Sequence, residues 1–216
     1  MRIAEFGTVG VTSMTIDAQD RLFVLTSDNK VHRVLPDGTR SLHAQLPTDQ
    51  QGFGITRDGV GGVYVQQRGN RIFYITPERE VRLLDLRGAT FEYEGVNIAG
   101  DCGESMFMTP MSLPGTSQGG EEHSIVQLVG RTGELGTVLN GKLIGQDLLD
   151  MDFIVYDRFG SRLLIMSESN GLKLFSVPIT CGAIDLDLHL VFPADQPMVA
   201  TEPLASSVFV RGDGDV

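Results

Sequence analysis

The chain has 216 residues, 41% of them hydrophobic, with 26 glycines and no tryptophan. That length accommodates one sizeable all-β domain, and glycines scattered between apolar runs suit many tight turns and exclude a low-complexity tract. The net charge of −11 is uneven: residues 1–100 hold 11 Lys and Arg against 12 Asp and Glu, and residues 101–216 hold 6 against 16. The negative field of the second half repels phosphate backbones and anionic headgroups, which disfavours nucleic acid and membrane partners.

No apolar run approaches the ~18 residues of a membrane span, and residues 1–10 lack the apolar centre of a signal peptide. The expectation is a cytoplasmic protein with no membrane insertion. Cys102 and Cys181, neither in a CxxC pair, make neither a disulfide framework nor a zinc site and read as buried free thiols.

In chain order, residues 2–9 are a strand candidate that precedes the first repeating unit, so residues 1–10 are expected to offer a closing strand. The unit itself begins with Met14 and Ile16 alternating with polar neighbours, followed by the turn residues 17–20 and the apolar run 22–25. A second turn at 27–29 precedes a strand at 31–35, and Pro36-Asp37-Gly38 makes a third turn, with proline presetting φ and glycine accepting a positive φ. A fourth strand at 40–45 is closed by Pro47. Four strands in so short a stretch leave no room for a helix, and such a sheet buries its faces only against copies of itself.

The order returns. Residues 54–59, 63–65, 71–75 and 81–86 repeat it, with Thr76-Pro77-Glu78 as the third turn. A third copy has strands at 96–98, 106–108, 125–129 and 136–139, a turn at 100–103, and an insertion at 109–123. A fourth has strands at 151–155, 163–165, 172–177 and 186–191, and residues 203–210 begin a fifth. Equivalent central positions Phe23, Tyr64, Phe107, Leu164 and Phe209 follow at steps of 41, 43, 57 and 45 residues, and the long step falls to 42 without the 15-residue insertion. A steady step of this size with four short strands per unit is the period of propeller blades. The expected fold is therefore an all-β propeller of four-stranded antiparallel blades, with blades at 11–47, 51–86, 95–139 and 148–193 and an incomplete fifth at 198–216, in one domain.

The first two units share the order I-x-x-D, turn, hydrophobic strand, with Met14 in the isoleucine's place in the first, and the first continues with KVHRVLPDGT at residues 30–39. They resemble the repeats of NHL, streptogramin-lyase and gluconolactonase-like propellers. The resemblance covers most of residues 11–193. The absence of tryptophan sets aside WD repeats. In such propellers ligands meet the mouth of the central channel, where the segments leading into the inner strands converge. Here those segments carry Thr12, Ser13, Gln51, Phe53, Glu94, Asn97, Asp150, Asp152 and Glu202.

Gluconolactonase-like enzymes use a glutamate, an asparagine and an aspartate in this zone. The resemblance thus nominates Asn97, Asp150 or Asp152, and Glu202 as hard oxygen ligands for Ca²⁺ or Mg²⁺. The glutamate that the family carries ahead of proline and tryptophan in its first blade has no counterpart. Lyase chemistry would need a histidine base beside Mg²⁺. His32 and His43 lie on strands with polar neighbours and read as surface residues, His123 ends the insertion, and His189 falls on an outer strand.

Other signals are weaker. Arg211-Gly212-Asp213 is a chance tripeptide, and residues 59–62 precede no helix that would gather phosphate. The insertion is the one loop that departs from the repeat, and loops of that length are commonly functional. Met106, Met108 and Met111 form a soft apolar patch beside it. These features lead to a non-catalytic interaction scaffold, a module of a larger assembly that binds protein partners and needs no cofactor. Its contact residues would be Pro110, Met111, Leu113, Glu121, Glu122 and Phe209. The alternative is a metal-dependent lactonase-like hydrolase or lyase with a Ca or Mg site at the channel mouth.

Overall fold

The apolar runs become strands in a computed structural model of the chain, which describes residues 5–67, 71–84, 96–100, 103, 105–110, 125–133, 135–140, 151–157, 159–167, 173–180, 183–184 and 189–190. The first sheet contains β1 (Val11–Ile16), β2 (Leu22–Thr26), β3 (Lys30–Val34) and β4 (Arg40–Gln45). The second contains β5 (Gly52–Arg57), β6 (Val63–Gln67), β7 (Arg71–Ile75) and β8 (Val81–Leu83). The third contains β9 (Val96–Gly100), β10 (Met106–Pro110), β11 (Ile125–Val129) and β12 (Leu135–Asn140). The fourth contains β13 (Met151–Asp157), β14 (Arg162–Ser167), β15 (Lys173–Thr180), β16 (Ala183–Ile184) and β17 (His189–Leu190). Each sheet is an antiparallel meander in sequence order, except that both β16 and β17 pair with β15. Among the described residues no helix is long and apolar enough to cross a membrane.

Side-chain alternation places the sheets face to face. On one face of the first sheet Phe23 and Leu25 meet Val63, Val65, Phe73 and Ile75 of the second in one buried cluster. The other face of the second sheet carries Tyr64, Ile72 and Tyr74, which bury against Met106, Met108 and Val129 of the third. The methionines of the sequence's soft patch are thus core where described, since Met106 and Met108 are fully buried. First strands lie side by side, β1 by β5, β5 by β9 and β9 by β13, as the inner strands of successive blades do.

The aspartate of the I-x-x-D signature explains why the first turns close. Asp17, Asp58 and Asp157 are all buried at the β1–β2, β5–β6 and β13–β14 turns. Oδ1 of Asp17 accepts from the amides of Gln19 and Arg21, both at 2.9 Å, and Oδ2 accepts from Arg21 Nε at 2.5 Å. Asp157 repeats the plan, with the Phe159 and Gly160 amides on Oδ1 and Arg162 Nε on Oδ2 at 2.7 Å. In the second sheet Gly62 stands where Arg21 stands in the first, and a Cβ there would overlap the Tyr74 hydroxyl. That hydroxyl takes over the arginine's part, donating to Asp58 Oδ2 at 2.8 Å. An Asx-type cap satisfies the amides of a tight turn that would otherwise be orphaned.

Two residues tie one sheet to the next. Asn29, held at a φ of 59°, donates through Nδ2 to the carbonyls of Pro47 and Gln50 and accepts the Gly52 amide on Oδ1 at 2.8 Å. Gly100 donates its amide to Thr56 Oγ1 at 2.7 Å, and a Cβ there would run into the Arg57 carbonyl.

Several expectations need correction. Residues 5–9 form a turn, with the Val9 amide donating to the Phe6 carbonyl and Gly7 at a φ of 65°, where a closing strand was expected. Phe6 instead packs edge-on against His32 and under the Arg40 guanidinium, on the first sheet itself. The insertion starts two residues later than expected, because Thr109 and Pro110 still pair with Asn97 and Val96. The turn expected at 100–103 begins after Gly100, and β8 ends at Leu83, short of 86. Of the outer strand expected at 186–191, His189 and Leu190 pair with β15, as do Ala183 and Ile184, and residues 186–188 and 191 lie outside the described residues. The fifth unit at 198–216, Cys102, Cys181 and His123 lie outside the described residues.

Candidate functional site

Antiparallel meanders have two kinds of end. One carries the turns that follow the first and third strands of each sheet. The other carries the hairpin after each second strand together with the link into the next inner strand. Of the expected channel-mouth residues, Thr12, Ser13, Gln51, Phe53, Asn97 and Asp152 belong to the second end, and Glu94 lies outside the described residues. Its backbone has a repeated irregularity: register slips between Val11 and Ser13 in β1, between Gly52 and Gly54 in β5, and between Met151 and Phe153 in β13. The bulged residues Thr12, Phe53 and Asp152 therefore occupy equivalent positions, each second in its inner strand. Bulges re-aim side chains and gather near binding sites. Asn97, also second in its strand, pairs regularly with Thr109.

The structure thus brings Asn97 of β9 and Asp152 of β13 to the same end of adjacent inner strands, and puts Pro110 there too, paired with Val96. Asp150, Glu202, Met111, Leu113, Glu121, Glu122 and Phe209 lie outside the described residues. Among the described residues no group of three or more His, Cys, Asp or Glu side chains is placed to hold a metal.

The histidines differ from expectation. His32 is half-buried and its pKa is lowered by burial and then by the Arg40 charge. His43 is buried at 5% exposure, with its ring edge-on to Phe23 at 4.9 Å, while the apolar Leu42 beside it is 48% exposed. The cause is a register slip between Val31 and His32 against β4: Val31 faces Ala44 and His32 faces Leu42, which leaves His43 as the extra residue turned inward. Burial pushes the His43 pKa down to about 4, aided by the charges of Arg79, Arg33 and Arg21. His189 lies on the short outer strand β17, as its place in the repeat implied.

The first sheet's other face holds an exposed apolar surface. Met14, Val24, His32 and Leu42 are register partners across the four strands, and Ile16, Leu22, Val34 and Arg40 form the next row of that face. Val24 and Val34 are buried, whereas Met14 is 61% and Ile16 52% exposed. Exposed apolar residues grouped on one face mark contact surfaces. Sequence reasoning missed this surface, because alternation alone assigned Met14 and Ile16 to a buried face.

Four-stranded antiparallel sheets packed face to face around adjacent inner strands make the chain a β-propeller. No protein-family model matches the sequence, and no curated protein matches it. Solved structures do resemble it. Virginiamycin B lyase from Staphylococcus aureus superposes with a TM-score of 0.54 at 15% identity, over 84% of this chain and 55% of the lyase. A gluconolactonase from Xanthomonas campestris gives 0.53 at 14% identity, over 80% and 59%. PorZ, a surface component of the type-IX secretion system of Porphyromonas gingivalis, gives 0.51 at 11% identity, over 88% and 22%. The likeness is one of fold, the β-propeller. The chain spans just over half the length of the two enzymes and about a fifth of PorZ.

Proposed function

We propose that the chain is a non-catalytic propeller scaffold that binds a protein partner within a larger assembly, in the cytoplasm. The observation that supports this reading is the face of the first blade, on which Met14, Ile16 and Leu42 together stay exposed although Val24 and Val34 of the same face are buried. The first sheet's other face and both faces of the second are covered by neighbouring blades, and apolar area of this kind favours burial by about 25 cal/mol per Å². Pro110, Met111, Leu113, Glu121, Glu122 and Phe209 are proposed as further contacts. PorZ offers a parallel, a propeller of similar fold described as a component of a secretion assembly.

The test is affinity capture at matched protein levels with wild type, Leu42→Asp, Met14→Asp and a deletion of residues 111–123. The reading expects all variants to keep the wild-type circular dichroism and to lose the same partner. Turnover of a lactone dependent on added Ca²⁺ or Mg²⁺ and lost in Asn97→Ala or Asp152→Ala would replace it with the lactonase-like alternative.

A further inference from the structure

The second and third blades each turn one face to the blade before them. On the second blade that face carries the register row Ile55, Val65 and Phe73, with Val63 and Ile75 in the row beside it. On the third it carries Ile98 with Met108, and Met106 with Val129. The uncovered face of the first blade is the same face. Met14 stands three residues ahead of Asp17 as Ile55 stands three ahead of Asp58, so Met14 is the equivalent of Ile55. Register then makes Val24 the equivalent of Val65, Leu22 of Val63 and His32 of Phe73.

The equivalents differ in cover. Packed against the first blade, Ile55 is 6% exposed, whereas Met14 is 61% exposed. At the third strand the ring of Phe6 stands edge-on to His32, and the inner strand beside it keeps Met14 and Ile16 exposed. A repeat unit with no neighbour on one side ordinarily carries a polar face there, because nothing buries an apolar one. Met14, Ile16, Leu22, Val24 and Val34 have instead the composition of a face built for a neighbouring blade.

We propose that the first blade docks a propeller blade of another polypeptide, face to face, as the first blade itself covers the second. The proposal rests on the reading of this face as a partner site and gives the partner its chemistry: a four-stranded antiparallel sheet with a large apolar side chain at the centre of its second strand. Phe23 and Tyr64 hold that position in the first and second blades, and with them these blades meet the next. A second copy of this chain has no such face free among the described residues, since Phe23, Tyr64, Phe107 and Leu164 are all exposed by 2% or less. Met14, unbranched and flexible, adapts its shape to a side chain brought against it.

The test places a photoreactive benzoylphenylalanine at position 14 of the whole chain, with a control version carrying it at the exposed Asp37, and illuminates each in cell extract. Mass spectrometry of the joined peptides is the readout. A docked blade predicts that position 14 joins a strand of another protein whose sequence repeats at a step of about 40–45 residues with four short strands per unit. Met14→Asp should lower capture of that protein at least about tenfold, with the melting temperature within a degree or two of wild type because Met14 is exposed. Joining to a helical or non-repeating segment of another protein would overturn the blade and leave the partner reading standing. Joining to this chain, within one molecule or between two copies, would overturn the other polypeptide as the source. With no product at position 14 beyond that at position 37, the blade and the partner reading both fall.

Discussion

The Tyr74 hydroxyl donates to Oδ2 of Asp58 at 2.8 Å from inside the blade, and Gly62 leaves the room for it. Asp58 Oδ1 meanwhile accepts the Val60 and Gly62 amides, at 2.9 and 2.6 Å. Tyr74→Phe removes one donor from a fully buried carboxylate while changing almost no volume. The expected loss is about 1–3 kcal/mol, the cost of leaving a buried polar group short of a partner, read by urea denaturation. A variant as stable as wild type would mean that Arg131, 3.6 Å from the same oxygen, suffices alone.

Gly100→Ala should be among the most damaging single-methyl changes. Its Cβ meets the backbone carbonyl of Arg57, which cannot rotate away as a side chain would. Overpacking costs typically 1–3 kcal/mol, and a rigid obstacle puts this case at or above the top of that range. Amide exchange should speed up in β9 and β10 while β1 to β4 keep their protection.

Asn29 combines a left-handed backbone with three side-chain bonds across the junction of the first two blades. Asn29→Gly keeps the backbone comfortable and deletes the bonds, and Asn29→Ala adds backbone strain. Both should be destabilised, with Ala lower in melting temperature than Gly by the strain of roughly 1 kcal/mol. Equal melting temperatures would show that the φ of 59° is not retained.

His43 gives the fold an acid-sensitive element. Its pKa is near 4 folded against 6.5 as the ordinary value, so the unfolded chain binds the proton first as pH falls. Its contribution is complete above about pH 6.5 and is lost between there and pH 4, with a slope of at most about 1.4 kcal/mol per pH unit. His43→Phe, which keeps an aromatic ring against Phe23, should flatten the melting temperature between pH 6.5 and 4.5. The same acid slope in both proteins would assign it to carboxylates alone.

Much of the architecture was legible in the residues. Recurrent turn chemistry such as Pro36-Asp37-Gly38 and the regular spacing of Phe23, Tyr64 and Phe107 report local backbone preference and repeat length, which a sequence displays directly. The aspartate of I-x-x-D was legible as a turn residue, but its second oxygen was not: whether Arg21 or Tyr74 supplies the donor depends on which side chain fills the space above a residue such as Gly62. His43 was misread because one extra residue in β4 inverts the alternation that sequence reading relies on, and a bulge leaves no compositional mark. The exposed face of the first blade escaped for a different reason. Period-two patterning says that Met14 and Ile16 share a face and says nothing of whether a neighbour covers it.

Partner capture with Leu42→Asp beside wild type decides whether the exposed Met14, Ile16 and Leu42 on the first blade are where a partner binds. Leu42 is exposed, so the substitution should leave the melting temperature within a degree or two while the captured partner is lost at least about tenfold. Undiminished capture by a folded Leu42→Asp protein would contradict it.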